Sequence, residues 1–420
     1  MDHFNYRNGQ LYAEDVSVAE IATSVGTPFY VYSTATLVRH FQLFDEALDG
    51  MDHCICYAMK AASNQAILKT LGNLGAGMDV VSGGEYRRAL SAGIPPEKVV
   101  FSGVGKTLEE ITLALKNGIR QFNVESDSEL EQISSIASSM DKIAPIAVRI
   151  NPDVDAQTHE KIATGKAENK FGIPLSRARE VYSKASQMPG INIVGIDLHI
   201  GSQLTDLKPF KKAYQKLADL TQILRQDGHK IKRLDLGGGL GIPYEKNKSA
   251  PPLPVEYGKM VKEVLGHLDC EIEIEPGRLI VGNAGILVSS VLGVKIGDNR
   301  NFLILDAAMN DLIRPAMYDA YHDIIPVRQP SSPEAVYDVV GPVCETGDTF
   351  AKKRTMPKLT ESDLVAFRSA GAYGAVMSSE YNTRPLIPEV MVNKNEFSII
   401  RKRPSYEEII DRDIIPNWLK

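Results

Sequence analysis

Between residues 54 and 278 short apolar, β-rich runs alternate with helix-patterned stretches, and few folds accept such a pattern. The runs are Cys54–Tyr57, Met78–Val81, Val99–Phe101, Gln121–Val124, Ile146–Ile150, Ile193–His199, Ile231–Leu236 and Glu271–Glu275. Amphipathic segments such as Gly84-Glu-Tyr-Arg-Arg-Ala-Leu and Thr107-Leu-Glu-Glu-Ile-Thr-Leu-Ala-Leu stand between them. Strands linked by helical crossovers run parallel, and a count of eight predicts an α/β fold closed as a (β/α)8 TIM-type barrel.

Polar residues mark where each run ends: Lys60, Asp79, Ser102-Gly103, Asn123, Arg149-Ile-Asn151, His199-Ile-Gly-Ser202, Gly237–Gly239 and Glu275–Arg278. Barrel enzymes carry their chemistry on this C-terminal rim, whereas an open sheet gathers it at one switch point. After Arg278 the texture changes. Gly285–Lys295, Asn301–Asp306 and Tyr337–Pro342 follow without long intervening helices and predict a separate, mostly antiparallel β-barrel or sandwich domain. Phe29-Tyr-Val-Tyr32 reads as a strand that joins it. The expected domains are therefore a barrel over 34–280 and a β domain built from 1–33 and 281–420.

A formal net charge of -6, with no basic cluster, argues against nucleic acid or an anionic membrane as partner. No apolar run approaches a membrane span, and Met1-Asp-His-Phe-Asn-Tyr does not open like a secretory signal. The four cysteines, at 54, 56, 270 and 344, are too few and too scattered for a disulfide framework or a zinc site. A cytoplasmic protein without a bound metal is expected, and Cys54 and Cys56 read as strand residues.

Three rim features suggest one cofactor. Lys60 offers an amine for a Schiff base, Gly237-Gly-Gly239 follows strand seven where barrels often bind phosphate, and Glu275 closes strand eight with a carboxylate. A ligand with an aldehyde, a phosphate and a ring nitrogen is pyridoxal 5′-phosphate (PLP). His199 fits as a stacking platform and Ser202 as a phosphate donor.

Tyr57-Ala-Met-Lys60, His199-Ile-Gly-Ser202, Gly237-Gly-Gly239, Glu275-Pro-Gly-Arg278 and Cys344-Glu-Thr-Gly-Asp348 stand in order along the chain. This set resembles the alanine-racemase-fold (fold type III) PLP-dependent decarboxylases, within them the diaminopimelate branch, over about residues 28–390. The resemblance implies that Lys60 binds the cofactor covalently, that Asp79 sits beside it, and that His199 stacks on the ring. It implies that Glu275 pairs with the ring nitrogen, and that Ser202, Gly237, Gly238, Gly239, Gly277, Arg278 and Tyr373 hold the phosphate. It assigns the substrate's distal carboxylate to Arg278, Arg314 and Tyr318, with Tyr373 nearby, and the distal ammonium to Glu345. It brings Cys344 in from the second subunit of a homodimer as the acid that protonates the α-carbon.

The implied reaction is decarboxylation of meso-2,6-diaminopimelate to L-lysine and CO2, the last step of lysine biosynthesis. A related amino acid, possibly carrier-bound, stays open as substrate. A racemase is disfavoured because members of that branch place an arginine where this chain has Glu275, and a carboxylate best keeps the ring an electron sink. A non-catalytic PLP-binding protein is disfavoured by Cys344 and Tyr373.

Two further expectations concern the barrel itself. The long polar loop 153–172 reads either as a lid that closes over bound substrate or as a mobile surface loop. Asp197 with His199, and Glu273 with Glu275, share strand faces, with Asp235 and Arg149 also pointing inward. A charged interior layer is therefore expected, in which Glu273 meets a cation or takes up a proton.

Overall fold

The computed structural model describes residues 2–155, 170–245 and 250–419. The chain divides into two compact units, one comprising 37–243 and 248–280, the other 1–36, 244–247 and 281–420.

The first unit is the barrel. Its strands are β1 (His53–Ala58), β2 (Gly77–Val80), β3 (Val99–Phe101), β4 (Gln121–Val124), β5 (Ala144–Asn151), β6 (Ile191–Asp197), β7 (Arg233–Asp235) and β8 (Glu271–Ile274). They pair in parallel in chain order, and β8 pairs back onto β1, which closes the cylinder. The register sets Ala58 beside Asp79 and Glu273 between Asp235 and Cys54, so chemistry-bearing side chains fall at matched heights. Lys60 does not lie at the strand end itself. The strand stops at Ala58, and Met59–Ala61 makes a 3-10 turn that lifts Lys60 onto the rim.

The crossover helices follow from local sequence. Thr107 opens the helix Leu108–Asn117 with a capping box to Glu110, satisfying backbone donors that the first turn leaves free. Ile111, Ala114 and Leu115 form its buried face, each larger side chain contributing about 1.5–3 kcal/mol of burial. Gly118 ends the helix at φ 81°, a left-handed conformation that suits glycine. An aspartate at 111 would place a charge on the buried face and break this packing.

The second unit is a mixed β structure. The long strand Gly285–Ile296 pairs antiparallel with Phe29–Ser33, Asn301–Leu305 and Leu364–Phe367. Two pairings are parallel, Glu389–Asn393 with Phe29–Ser33 and Asn301–Leu305 with Glu334–Val340. The unit is thus mostly antiparallel, as expected, and its parallel partners are strands not joined as hairpins; Phe29–Ser33 enters the sheet from the other end of the chain. Phe29, Val31, Ile286, Val288, Val390 and Val392 bury one face of the sheet. No helix among the described residues is long and apolar enough to cross a membrane.

Candidate active site

The rim of the barrel gathers the amine, the carboxylates and the glycine loop. Lys60 Nζ donates to Asp79 Oδ2 at 2.6 Å, while Asp79 Oδ1 is buried without a hydrogen-bond partner among the described residues. Glu275 is buried just past the end of β8, where Ser102 Oγ and Asn123 Nδ2 donate to its Oε1 at 3.3 and 3.4 Å. Burial pushes the Glu275 carboxyl well above the ordinary carboxylate range, and the nearby Asp79 and Asp197 charges push it further. Such a carboxyl is primed for a cation that restores its charge.

His199, half-buried, lies just beyond β6 and accepts the Gly238 N–H at Nδ1 (3.2 Å), which puts its own proton on Nε2. Burial, helped by the Arg149 and Lys60 cations, holds its pKa well below the usual histidine range, so the ring is neutral. The glycine loop after β7 is bare by necessity. A Cβ at Gly238 would stand 2.3 Å from the Glu275 carbonyl oxygen, and one at Gly239 would stand 2.4 Å from that of Gly201. Gly237, at φ 62°, donates its N–H to Asp235 Oδ1 at 3.0 Å. Gly277 packs closely against Ala58 and Ala61 beside Lys60, where a Cβ would stand 3.0–3.2 Å from their atoms. Arg278 donates to Ser202 Oγ through Nη2 at 2.9 Å and Nε at 3.3 Å, which links the two side chains.

Beneath the rim the interior is charged. Asp197, Asp235, Glu273 and Arg149 are all buried. Glu273 meets its cation: Arg120 Nε donates to its Oε2 at 2.5 Å, while Arg120 and Arg233 both hold Glu271. Asn123 ties Asp235 to the rim with a bond of 2.9 Å. Asp235 and Asp197 are both pushed up, chiefly by burial, Asp197 to about 7. Cys54 and Cys56 face the same way with sulfurs 3.8 Å apart, and with Glu273 they make the one cluster of possible metal donors among the described residues. Only the fold brings these three donors together, since Glu273 is far from both cysteines in sequence and reaches them through the β8–β1 pairing that closes the barrel.

The residues present fit pyridoxal phosphate. An amine stands on the rim, a glycine loop leaves space that a Cβ would fill, and a buried carboxyl lacks a full cationic partner. Residues 34–282 match the family described as pyridoxal-dependent decarboxylase, pyridoxal binding domain. The chain is 52% identical over 405 residues to diaminopimelate decarboxylase of Vibrio cholerae, covering 96% of each chain. It is 49% identical over 419 residues to that of Zymomonas mobilis, covering 99% of each. Diaminopimelate decarboxylase from Helicobacter pylori complexed with L-lysine superposes with a TM-score of 0.90 at 42% identity, covering 94% of this chain and 98% of that one. The chain belongs to the diaminopimelate decarboxylase family.

The β unit of this family member presents the remaining expected residues. Cys344 is exposed at the tip of Gly341–Asp348, a loop fixed from within by Asp348, whose carboxylate accepts the Val343 and Met309 N–H groups at 2.8 and 2.7 Å. Gly341 is required there, since a Cβ would lie 2.4 Å from Asp348 Oδ2. Glu345, also exposed, hydrogen-bonds the Tyr381 side chain. Tyr373 holds a left-handed φ of 56°, a conformation costing a non-glycine residue about 1–3 kcal/mol. Arg314 is buried at the start of the short helix Arg314–Tyr318, and half-buried Tyr318 ends it.

Several contributors carried no assigned role in the sequence. Ser102, Asn123 and Arg149 stood out as polar strand ends, but not their bonds to Glu275, Asp235 and Glu125. Most of the candidate lid, 156–169, lies outside the described residues. Its described end is anchored: the Gly172 N–H donates to Glu125 Oε2 at 3.1 Å, and the Arg149 guanidinium stacks 5.0 Å from the Phe171 ring.

Proposed function

We propose that this protein converts meso-2,6-diaminopimelate to L-lysine and carbon dioxide with pyridoxal 5′-phosphate as cofactor, closing lysine biosynthesis. The observation that carries the reading is Glu275, a buried carboxyl at the end of β8 in a chain about half identical, over nearly its whole length, to diaminopimelate decarboxylases. Bound there, the cofactor supplies an electron sink for the carbanion left when carbon dioxide departs.

Around that chemistry the chain's own residues bind, orient and move protons. The barrel, residues 34–280, carries the cofactor site, and the β domain, residues 1–33 and 281–420, supplies substrate contacts. Asp79 orients the Lys60 amine, and neutral His199 offers a flat platform. The Gly237–Gly239 loop, Ser202, Gly277, Arg278 and Tyr373 take the phosphate; Gly237 and Gly238, whose N–H groups are bonded to Asp235 and His199, serve by leaving it room, because small residues suit an anion held close to the backbone. Glu275 holds the ring nitrogen's proton. Arg278, Arg314 and Tyr318 receive the distal carboxylate, for which a planar guanidinium fork is well matched. Glu345 takes the distal ammonium.

Cys344 donates the proton that replaces the departing carboxylate, and it does so from the partner of a homodimer. Its exposure on a rigid loop supports this reading, as a thiol that serves another subunit must project outward. An exposed thiol kept for acid chemistry also supports a reducing compartment, the cytoplasm.

The test is carbon dioxide release from a panel of amino acids by the purified, PLP-loaded protein. Stoichiometric L-lysine and carbon dioxide from meso-diaminopimelate are expected. Turnover of a different amino acid, with none of meso-diaminopimelate, would defeat the proposal.

A further inference from the structure

Arg314 is held by a histidine that neither the motifs nor the family match singles out. His322 is 1% exposed, and its Nε2 lies 2.9 Å from Arg314 Nη1. A guanidinium can only donate, so Nε2 must offer its lone pair. The ring proton then sits on Nδ1, which faces the Arg368 carbonyl oxygen at 2.9 Å and donates to it. Both ring nitrogens are thus committed, and the imidazole is locked as the neutral Nδ1–H tautomer.

Tyr244 completes the holder. The Arg314 guanidinium carbon lies 4.8 Å from the Tyr244 ring centroid, and Tyr244 meets the His322 ring edge-on at 5.6 Å and 83°. One edge of the guanidinium is therefore fixed by a directional bond and one face by a ring. The backbone beneath His322 is anchored as well, since Arg354 Nη2 donates to its carbonyl at 3.0 Å.

We propose that His322 is a positioning residue, which with Tyr244 sets the orientation of the Arg314 fork for the distal carboxylate of the substrate. An arginine on a short helix has several rotatable bonds, and freezing them beforehand removes an entropy cost from binding. The proposal rests on the reading of Arg314 as the distal-carboxylate contact.

L-Lysine keeps the distal carboxylate after the reaction, and 1,5-diaminopentane lacks it, so the two ligands isolate this contact. In the PLP-loaded enzyme, His322→Leu should raise the Kd of L-lysine and the KM of meso-diaminopimelate about tenfold, the loss of one charge-assisted bond. The Kd of 1,5-diaminopentane and kcat should change less than about threefold, within half of that energy. His322→Gln, whose amide oxygen can still accept from Arg314, should recover most of the L-lysine affinity. Tyr244→Leu should weaken L-lysine in the same selective way, and it carries the test if His322→Leu does not fold. Unchanged L-lysine affinity in the folded variant, or equal weakening of both ligands, would overturn the proposal. Arg314→Met separates the two claims: if it leaves L-lysine binding intact, the reading of Arg314 itself fails.

Discussion

Lys60 and Asp79 form a charge-assisted pair of 2.6 Å between a rim amine and a fully buried carboxylate, set side by side by the register of β1 and β2. The Asp79 oxygen not used by Lys60 is buried and unpartnered among the described residues, so its environment depends on that amine. Asp79→Asn keeps the shape but removes the charge. Hydrogen bonds to charged groups are worth about 1.5–3 kcal/mol, so kcat/KM should fall roughly 10- to 100-fold. Steady-state kinetics at saturating PLP, with the cofactor's absorbance as a check on loading, measure it; unchanged kcat/KM would show that the pair is incidental.

Arg120 and Glu273 lie 153 residues apart in sequence and meet inside the barrel. Removing Arg120 leaves buried Glu273 with Arg233 Nε, 4.0 Å away, as its remaining cation, and breaking a buried pair typically costs about 3–5 kcal/mol. Arg120→Met should destabilise the protein by that order, and Arg120→Met/Glu273→Gln should recover a large part of the loss. Denaturant unfolding of the two single variants and the double variant gives the coupling. Additive effects would mean the pair does not stabilise the barrel interior.

The elements that sequence revealed and those that it hid differ for a physical reason. Barrel strands are read from apolar runs, and rim residues from polar side chains at their ends, so Lys60, Asp79, Glu275 and the glycine loop were all legible. Glu273 was legible as a buried charge through period two, but its partner was not, because Arg120 lies just before a strand on the far side of the sequence. His322 and Tyr244 belong to no motif, and only the fold brings them onto Arg314. The two parallel pairings of the β unit were hidden likewise, since local patterning does not say which distant strand will be the neighbour.

Asp197 makes stability depend on pH in a defined direction. Burial raises its pKa from 3.8 to about 7 in the folded protein, so between those values the native state binds more protons than the unfolded chain. Stability from this group is full below the unfolded value and declines as pH rises through about 7. Asp235 and Glu275, also pushed up chiefly by burial, act in the same sense. Unfolding midpoints of the cofactor-free protein should therefore fall from pH 4.5 to 7.5, and Asp197→Asn should flatten that slope. A slope in the variant equal to the wild type would remove Asp197 from the account.

The proposed sharing of a site between two subunits can be tested by mixing variants. If Lys60 and Cys344 of one site come from different subunits, Lys60→Ala and Cys344→Ala dimers should each be nearly inactive. In a mixed dimer one site would collect both defects and the other none. Random exchange of equal amounts makes half the dimers mixed, so about a quarter of wild-type activity should return in a two-fold-symmetric assembly. Carbon dioxide release after co-refolding or subunit exchange measures it, with each variant alone as control. If both residues belong to the same subunit, mixing yields no gain, because every chain carries a broken site. Exposure of Cys344 on a loop fixed from within by Asp348 supports the proposed first outcome.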